Sequence, residues 1–325
     1  MSDALVGQSA TSNGLSGWLQ LHTNWPAFYD FFSDVLGPVG WWVVLQFVIL
    51  LLGTRKGLRL AWLLFTATVT NTLLKWLWAE PRPYWADESV NPLRATAGFG
   101  MPSGHAQGAT ALWLGLWLLL RGRALLALVI AFIIFTGLSR IYYGVHSTAQ
   151  VLVGTGFGVA LSLLVWQLLP GLEARLRAMT LNSRVATSIA TVAIVGVICW
   201  LVFALRQDFV APAEWVVRFE AAQERFGQTG TMGLVESGSL LLVAMLAGYV
   251  FLALVASAKG HRALVLTQGR MTRFIVAIVT AIVLNIAALL ALRALHADAW
   301  LAGIWLCVQP LVALWLPLYW FGETE

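Results

Sequence analysis

The sequence predicts an all-α protein, a polytopic helical bundle that crosses a membrane about nine times, with its N-terminus outside and its C-terminus cytoplasmic. Three observations carry that prediction. Of the 325 residues 59% are drawn from Ala, Val, Ile, Leu, Met, Phe, Trp, Tyr and Cys, only 11% are charged, and the mean hydropathy is +0.79, whereas soluble domains carry about 25% charged residues. Apolar runs of roughly 20 residues, enough to cross a hydrocarbon core, recur along nearly the whole chain. Stretches such as Ala111 to Leu120 and Ala124 to Phe135 are apolar on every face, where a β-barrel would alternate apolar and polar residues. Disorder, a coiled coil and a soluble enzyme are excluded together.

The elements follow in order. Residues 1–36 form an N-terminal interfacial segment, because Trp18, Trp25, Phe28, Tyr29, Phe32 and Val35 precede the first span as the apolar face of a helix lying in the interface. The first Lys or Arg is Arg55, so the basic n-region of a secretory leader is lacking and the first span is expected to direct insertion itself. Residues 37–206 form a catalytic transmembrane core with spans at 37–53, 58–78, 104–120, 124–139, 147–169 and 187–205. Residues 207–325 combine an outer amphipathic segment, in which Trp215, Phe219, Ala222 and Phe226 recur at helical spacing, with spans at 233–256, 274–293 and 299–321. That second amphipathic stretch reads as a packing element. Cys199 and Cys307 both lie in apolar runs, where a thiol behaves as a small hydrophobe and gives no disulfide framework.

Orientation follows from the basic residues, which are retained on the cytoplasmic side near span ends. With the N-terminus outside, twelve of the 20 Lys and Arg fall on inner segments, against three Glu, which makes the inner segments +9 and the outer ones −4. The sequence pI near 9.6 is therefore a topology signal. No basic, aromatic-interleaved stripe exists for a polyanion to track, so no nucleic-acid partner is expected.

Among the outer basic residues, Lys75, Arg82 and Arg140 stand at span ends beside unusual neighbours. Lys75 and Arg82 belong to Lys-Trp-Leu-Trp-Ala-Glu-Pro-Arg-Pro, and Arg140 to Ser-Arg-Ile-Tyr-Tyr-Gly-Val-His. Pro102-Ser103-Gly104-His105 opens the third span, where free backbone N–H groups and the helix dipole favour an anion. Three fixed cations, a helix N-terminus and two histidines at one membrane face make a constellation for a phosphate. A phosphoryl group in flight spreads charge over three equatorial oxygens, which Lys and Arg donors stabilise. Ser103 Oγ and the Gly104 N–H complete the cradle, with glycine permitting close backbone approach. One histidine must attack phosphorus while the other protonates the departing oxygen, since an alkoxide is a poor leaving group. His146 and Gln150 are four apart and share one helix face, so the Gln150 amide oxygen can accept Nδ1–H and leave Nε2 to attack. Taken singly, Lys75 reads equally as a snorkelling anchor, Arg82-Pro83 as a turn, His105 as a cap and Arg140 as a helix stop. Jointly, three motifs landing on one face under a topology assigned from other residues favour phosphoryl chemistry.

At these residues the chain resembles a known family. Lys75-x6-Arg82-Pro83, Pro102-Ser103-Gly104-His105 and Ser139-Arg140-x5-His146 match the three-part signature of the type-2 phosphatidic acid phosphatase and vanadium haloperoxidase superfamily. The resemblance implies a metal-independent phosphatase working through a phosphohistidine. His146 is then the nucleophile and His105 the general acid, with Lys75, Arg82, Ser103, Gly104 and Arg140 holding the phosphate. The third motif of that superfamily usually ends in Asp four residues after the histidine, and here the place holds Gln150. A neutral amide orients the imidazole but stabilises an imidazolium less than a carboxylate does. Glutamine there is similar to the glucose-6-phosphatase branch, as is the surrounding text from Lys75-Trp76 to Tyr84-Trp85, Pro102 to Ala106 and Leu138 to Tyr142. That branch is also nine-spanning, with its N-terminus and active site on the non-cytosolic side.

The expected function is hydrolysis of a phosphate monoester, with a sugar phosphate as first substrate class and membrane lipids as neighbours. The alternative is a lipid phosphate such as phosphatidate, phosphatidylglycerol phosphate or a polyprenyl diphosphate. A reading of another class is an anion or phosphate-ester transporter that uses the same cluster without turnover. Vanadate is expected to occupy the pocket as a mimic of pentavalent phosphorus. No grouping of His, Cys, Asp and Glu has metal-ligand spacing, so neither metal nor cofactor is predicted. Asn285 and Gln309 read as helix-packing hydrogen bonds, and Glu236 as a dipole partner at the start of the seventh span. The Ala-, Leu- and Arg-rich composition points to a bacterial inner membrane with the site facing the periplasm. In a eukaryote the equivalent would be the endoplasmic reticulum with a lumenal site.

Overall fold

The computed structural model describes residues 14–52, 54–206 and 208–227. The seventh to ninth spans, with Glu236, Asn285, Gln309 and Cys307, lie outside the described residues. Among the described residues every regular element is helical. In chain order these are α1 (residues 14–22), α2 (Pro26–Asp30) running into a π turn (Phe31–Val35), α3 (Pro38–Leu52), α4 (Thr54–Trp78), the short α5 (Pro83–Ala86), α6 (Gly104–Leu120), α7 (Arg123–Tyr142), α8 (Thr148–Ala178), α9 (Leu181–Ala204) and α10 (Ala213–Arg225). Among the described residues three helices are long and apolar enough to cross a membrane: α7, the Thr148–Leu176 part of α8, and α9. On these helices Leu128, Ile134, Leu152, Leu168, Ile194 and Trp200 are exposed, which an apolar surrounding accommodates and water does not.

Two boundaries differ from the sequence expectation. α4 starts at Thr54, four residues before the expected span at 58, so Arg55 and Lys56 are helical too. α8 continues past Pro170 to Ala178, since an interior proline removes one backbone hydrogen bond and bends a helix without ending it when contacts beyond it hold. Those contacts are present: Glu173 accepts from Arg55 Nε at 2.8 Å and from Arg59 Nε at 2.5 Å, and Arg59 also lies over the Trp166 ring.

The described chain divides into two compact units. One comprises residues 14–41, 66–164 and 196–227, and the other residues 42–65 and 165–195. All three motifs belong to the first. Its apolar core gathers Tyr29, Tyr84, Trp85, Phe99, Ile141, Tyr142, Val145 and Phe219. The stretch predicted as an outer packing element is α10: Phe219 is fully buried edge-on to Trp85, Ala222 is buried beside it, and Trp215 and Phe226 are partly buried against the same core. The N-terminal segment is likewise divided by depth. Tyr29 stacks on Tyr142 with ring centroids 4.0 Å apart, Phe32 is buried, and Trp18 and Trp25 stay exposed.

Two glycines let α8 approach α6. A Cβ at Gly154 would meet Ser103 O at 2.6 Å, and one at Gly158 would meet Thr110 Cβ at 2.6 Å and Gln107 O at 2.8 Å. Small residues in this register allow helix backbones to close on each other inside a membrane. The N-terminus of α6 is thereby seated against the first turns of α8, which carry Gln150.

Candidate active site

The residues of the three motifs converge at the ends of α4, α6, α7 and α8. Lys75 lies in the last turn of α4, Arg140 in the last turn of α7, Ser103 is the N-cap of α6 with Gly104 as its first residue, and His146 precedes α8. Lys75, Arg82, Ser103, Arg140, His146 and Gln150 are all buried. Burying three cations in one neighbourhood is costly unless hydrogen bonds or counter-charges hold them, and the structure shows how two of them are held.

Arg82 is pinned by main-chain carbonyls. Its Nε donates to Gly98 O at 2.8 Å, Nη2 to Ala97 O at 2.9 Å and Nη1 to Val145 O at 3.0 Å. The same Nη1 lies 3.2 Å from His146 Nε2, while His146 Nδ1 lies 3.1 Å from Gln150 Oε1. An amide oxygen can only accept, so Nδ1 carries the proton and Nε2 keeps the lone pair that Arg82 donates to. Burial first, and then the charges of Arg82, Lys75 and Arg140, hold the His146 imidazole well below the ordinary histidine value, with the Gln150 hydrogen bond opposing them. The ring is therefore neutral at pH 7, and its lone pair faces a cluster of cations.

Arg140 is held from the N-terminal segment. Its Nη1 donates to the buried Ser33 Oγ at 2.6 Å, its guanidinium lies 5.8 Å from the Tyr143 ring centroid, and its carbonyl accepts the His146 N–H at 3.3 Å. Arg94 stands next to it, stacked 4.0 Å over Tyr143 and paired with Asp30 at 2.5 Å and Asp34 at 2.6 Å; Tyr143 also donates its hydroxyl to Asp30. Burial by itself would raise the Asp34 carboxyl, and hydrogen bonds from Arg94 and Ser33 outweigh it and hold the group below the usual value. The aromatic pattern in the first 36 residues pointed to a helix lying in the interface. It gave no sign that Asp30, Ser33 and Asp34 reach the neighbourhood of Arg140, more than a hundred residues further along.

Ser103 ties α6 to α8: its N–H donates to Gln150 O at 3.0 Å, and its carbonyl accepts from Gln107 at 3.0 Å. Its fully buried Oγ has no hydrogen-bond partner among the described residues. A buried hydroxyl left unsatisfied costs about 1–3 kcal/mol, and this one stands at the N-terminus of α6. Arg140 Nε is a second buried donor with no partner among the described residues. His105, in the first turn of α6, packs edge-on to Trp41 with centroids 6.3 Å apart and lies within reach of the charges of Arg140, Lys75 and Arg82.

Beside Ser103 and Gly104 is an amide pair that the motifs do not contain. Asn71 Nδ2 donates to Gln107 Oε1 at 2.8 Å and to Pro102 O at 3.2 Å, and Gln107 Nε2 donates to Ala67 O at 2.9 Å. Asn71 is one turn before Lys75, so this pair fixes the end of α4 against the start of α6. Its sequence signal is two polar residues inside apolar helices, which alone does not distinguish packing from support.

Residues 56–173 match the family model described as PAP2 superfamily, an interval that contains all three motifs. A glucose-6-phosphatase catalytic subunit 1 from Haplochromis nubilus is 27% identical over 135 residues, covering 30% of this chain and 36% of the relative. The chain thus spans about a third of the length of that curated relative. No solved structure matches it. The match across residues 56–173 and the likeness to that relative make this part of the chain similar to the PAP2 superfamily, and within it to the glucose-6-phosphatases.

Proposed function

We propose that the chain is an integral-membrane phosphohydrolase that cleaves a phosphate monoester through a phosphohistidine, with a sugar phosphate as its substrate class. One observation carries the reading: a buried neutral histidine whose Nε2 lone pair faces Arg82 within the shell of Lys75, Arg82 and Arg140, at the N-terminus of α6. When a phosphate enters, its oxygens take over the Arg82 donor and fill the orphaned Ser103 and Arg140 positions. Nε2 attacks phosphorus in line, the P–O ester bond breaks, and His105 gives its proton to the departing oxygen. Water then attacks the phosphorus, His105 removes its proton, and the electron pair of the broken P–N bond returns to Nε2. Free phosphate leaves. The cations stabilise equatorial charge at each step, so no metal is required.

The fold sits in the membrane as nine spans with the N-terminus outside and the C-terminus cytoplasmic, which puts the site on the non-cytosolic side. The distribution of Lys and Arg supports this topology. The sugar-phosphate assignment draws support from Gln150 and from the glucose-6-phosphatase relative; the lipid alternative draws its support from the membrane setting. The deciding experiment is phosphate release by detergent-purified protein in EDTA, comparing glucose-6-phosphate, phosphatidate and a polyprenyl diphosphate. Selective turnover of the sugar phosphate, inhibited by vanadate, is the expected result. Turnover of lipids alone would reassign the substrate class, and release from none would bring the transporter reading forward.

Ser103→Ala gives a second expected result. Because the Ser103 hydroxyl has no partner among the described residues, its loss is expected to leave thermal stability in detergent unchanged or to raise it by up to about 1–3 kcal/mol. Vanadate affinity is expected to fall roughly 10- to 100-fold, the worth of one hydrogen bond to a charged group. A large drop in stability with unchanged vanadate binding would assign Ser103 to structure.

A further inference from the structure

Resting on the phosphohistidine reading, we infer that Glu80 supplies, through the side-chain amide of Gln150, the negative charge that steadies His146 as its ring becomes cationic. Gln150 is buried, and every position of its amide is engaged. Oε1 accepts from His146 Nδ1 at 3.1 Å and from the Ser147 N–H at 3.3 Å, while Nε2 donates to Glu80 Oε1 at 3.1 Å and to Pro81 O at 2.9 Å. Flipping the amide would set its NH2 against two N–H donors and its oxygen against two acceptors, so the chemistry fixes the orientation. The result is a continuous line from imidazole to amide to carboxylate.

The surroundings hold that line in place. The backbone carbonyl of Glu80 accepts the Gly100 N–H at 2.7 Å. A Cβ on Gly100 would come within 2.4 Å of Gln150 Nε2 and 2.6 Å of Pro81 O, so glycine is needed there for the amide to reach Glu80. The charged groups that act on His146 are Arg82 from the chain before α5, Lys75 from α4 and Arg140 from α7, and the same three act on His105 of α6. The three permanent charges among them are positive. They suit an incoming phosphate and oppose a positive ring, so the nucleophile needs an anionic partner on its far side.

Forming the P–N bond uses the Nε2 lone pair and leaves the ring cationic, with its proton still on Nδ1. That proton leans harder on Gln150 Oε1, and the amide dipole, already polarised by the carboxylate at its N–H end, meets it with more negative charge. No proton passes along the line, because an amide oxygen is too weak a base to take it. Glu80 thus occupies, one residue further out, the electrostatic place that the superfamily's usual aspartate takes directly. Burial pushes the Glu80 carboxyl up, and the Gln150 hydrogen bond draws it back. Glu80 acts through Gln150 and is a positioning residue.

The test uses the full-length chain in detergent with p-nitrophenyl phosphate and glucose-6-phosphate, and the His146 ring pKa read by NMR on 13C-histidine-labelled protein. Glu80→Gln keeps an acceptor oxygen and removes the charge. It is expected to lower kcat roughly 10-fold, the low end of the 10–100-fold seen for outer partners of metal-ligating histidines, with KM unchanged. The His146 pKa, and with it the acid limb of kcat/KM, is expected to move to lower pH. Loss of a negative charge disfavours imidazolium, so the neutral nucleophile persists further into acid. Glu80→Asp, which keeps the charge on a shorter stem, is expected to be more active than Glu80→Gln, whereas a merely structural role predicts the reverse. In a Gln150→Asp background, where a carboxylate bonds His146 directly, Glu80→Gln is expected to cost nothing. An unchanged His146 pKa and kcat in Glu80→Gln would overturn the inference while the phosphatase reading stood. Wild-type protein that turned over no ester would overturn that reading instead, and the ring pKa would still report whether Glu80 acts on His146.

Discussion

His146→Ala is expected to lower phosphate release from any monoester by about 10⁴-fold or more, the scale seen when a nucleophile is removed from a site whose other parts remain. That corresponds to about 5 kcal/mol of transition-state stabilisation or more. The loss should be confined to chemistry. Arg82 keeps its bonds to Gly98, Ala97 and Val145 without the imidazole, and Arg140 keeps Ser33, so the cationic shell survives and vanadate should still bind. Steady-state release and vanadate affinity measured together separate the two. Trapping gives an independent reading: a phosphohistidine is acid-labile and base-stable, and it should form in the wild type and be absent in the variant. Release at the wild-type rate by His146→Ala would sink the covalent route.

The second large effect concerns His105, and its size should depend on the leaving group. For an alkyl phosphate such as glucose-6-phosphate, His105→Ala is expected to slow turnover by roughly 10²- to 10⁴-fold, the usual worth of general acid–base catalysis. A p-nitrophenolate needs no proton to depart, so with p-nitrophenyl phosphate the first step should survive. The second step should not, because water then lacks its base. The variant should release one equivalent of p-nitrophenol in a burst and stall as phosphorylated His146, while glucose-6-phosphate gives no burst. Equal slowing of both esters without a burst would reassign His105 to packing against Trp41.

The helical class was legible because it is local: apolar runs of membrane length and the sparsity of charge constrain the backbone wherever they occur. The placing of His146, His105, Lys75, Arg82, Ser103, Gly104 and Arg140 at or beside helix ends was legible because each motif is short and its spacing keeps its residues together. The pairing of His146 with Gln150 followed from a separation of one helical turn. What lay beyond reach were the contacts made across long stretches of chain. Glu80 reaches Gln150 over 70 residues and Ser33 reaches Arg140 over 107, and neither leaves a periodic trace. Asn71 and Gln107 looked like any polar residue in an apolar helix, and their role depends on how closely α4 and α6 approach. The extension of α8 past Pro170 was also hidden, since it rests on Glu173 meeting Arg55 and Arg59. By itself the sequence determined the elements and the kinds of group at their ends, because backbone periodicity and capping are decided within a few residues. Only the tertiary structure decided which carboxylates and amides support those groups, because a hydrogen bond depends on where packing brings two atoms and not on how far apart they are in the chain.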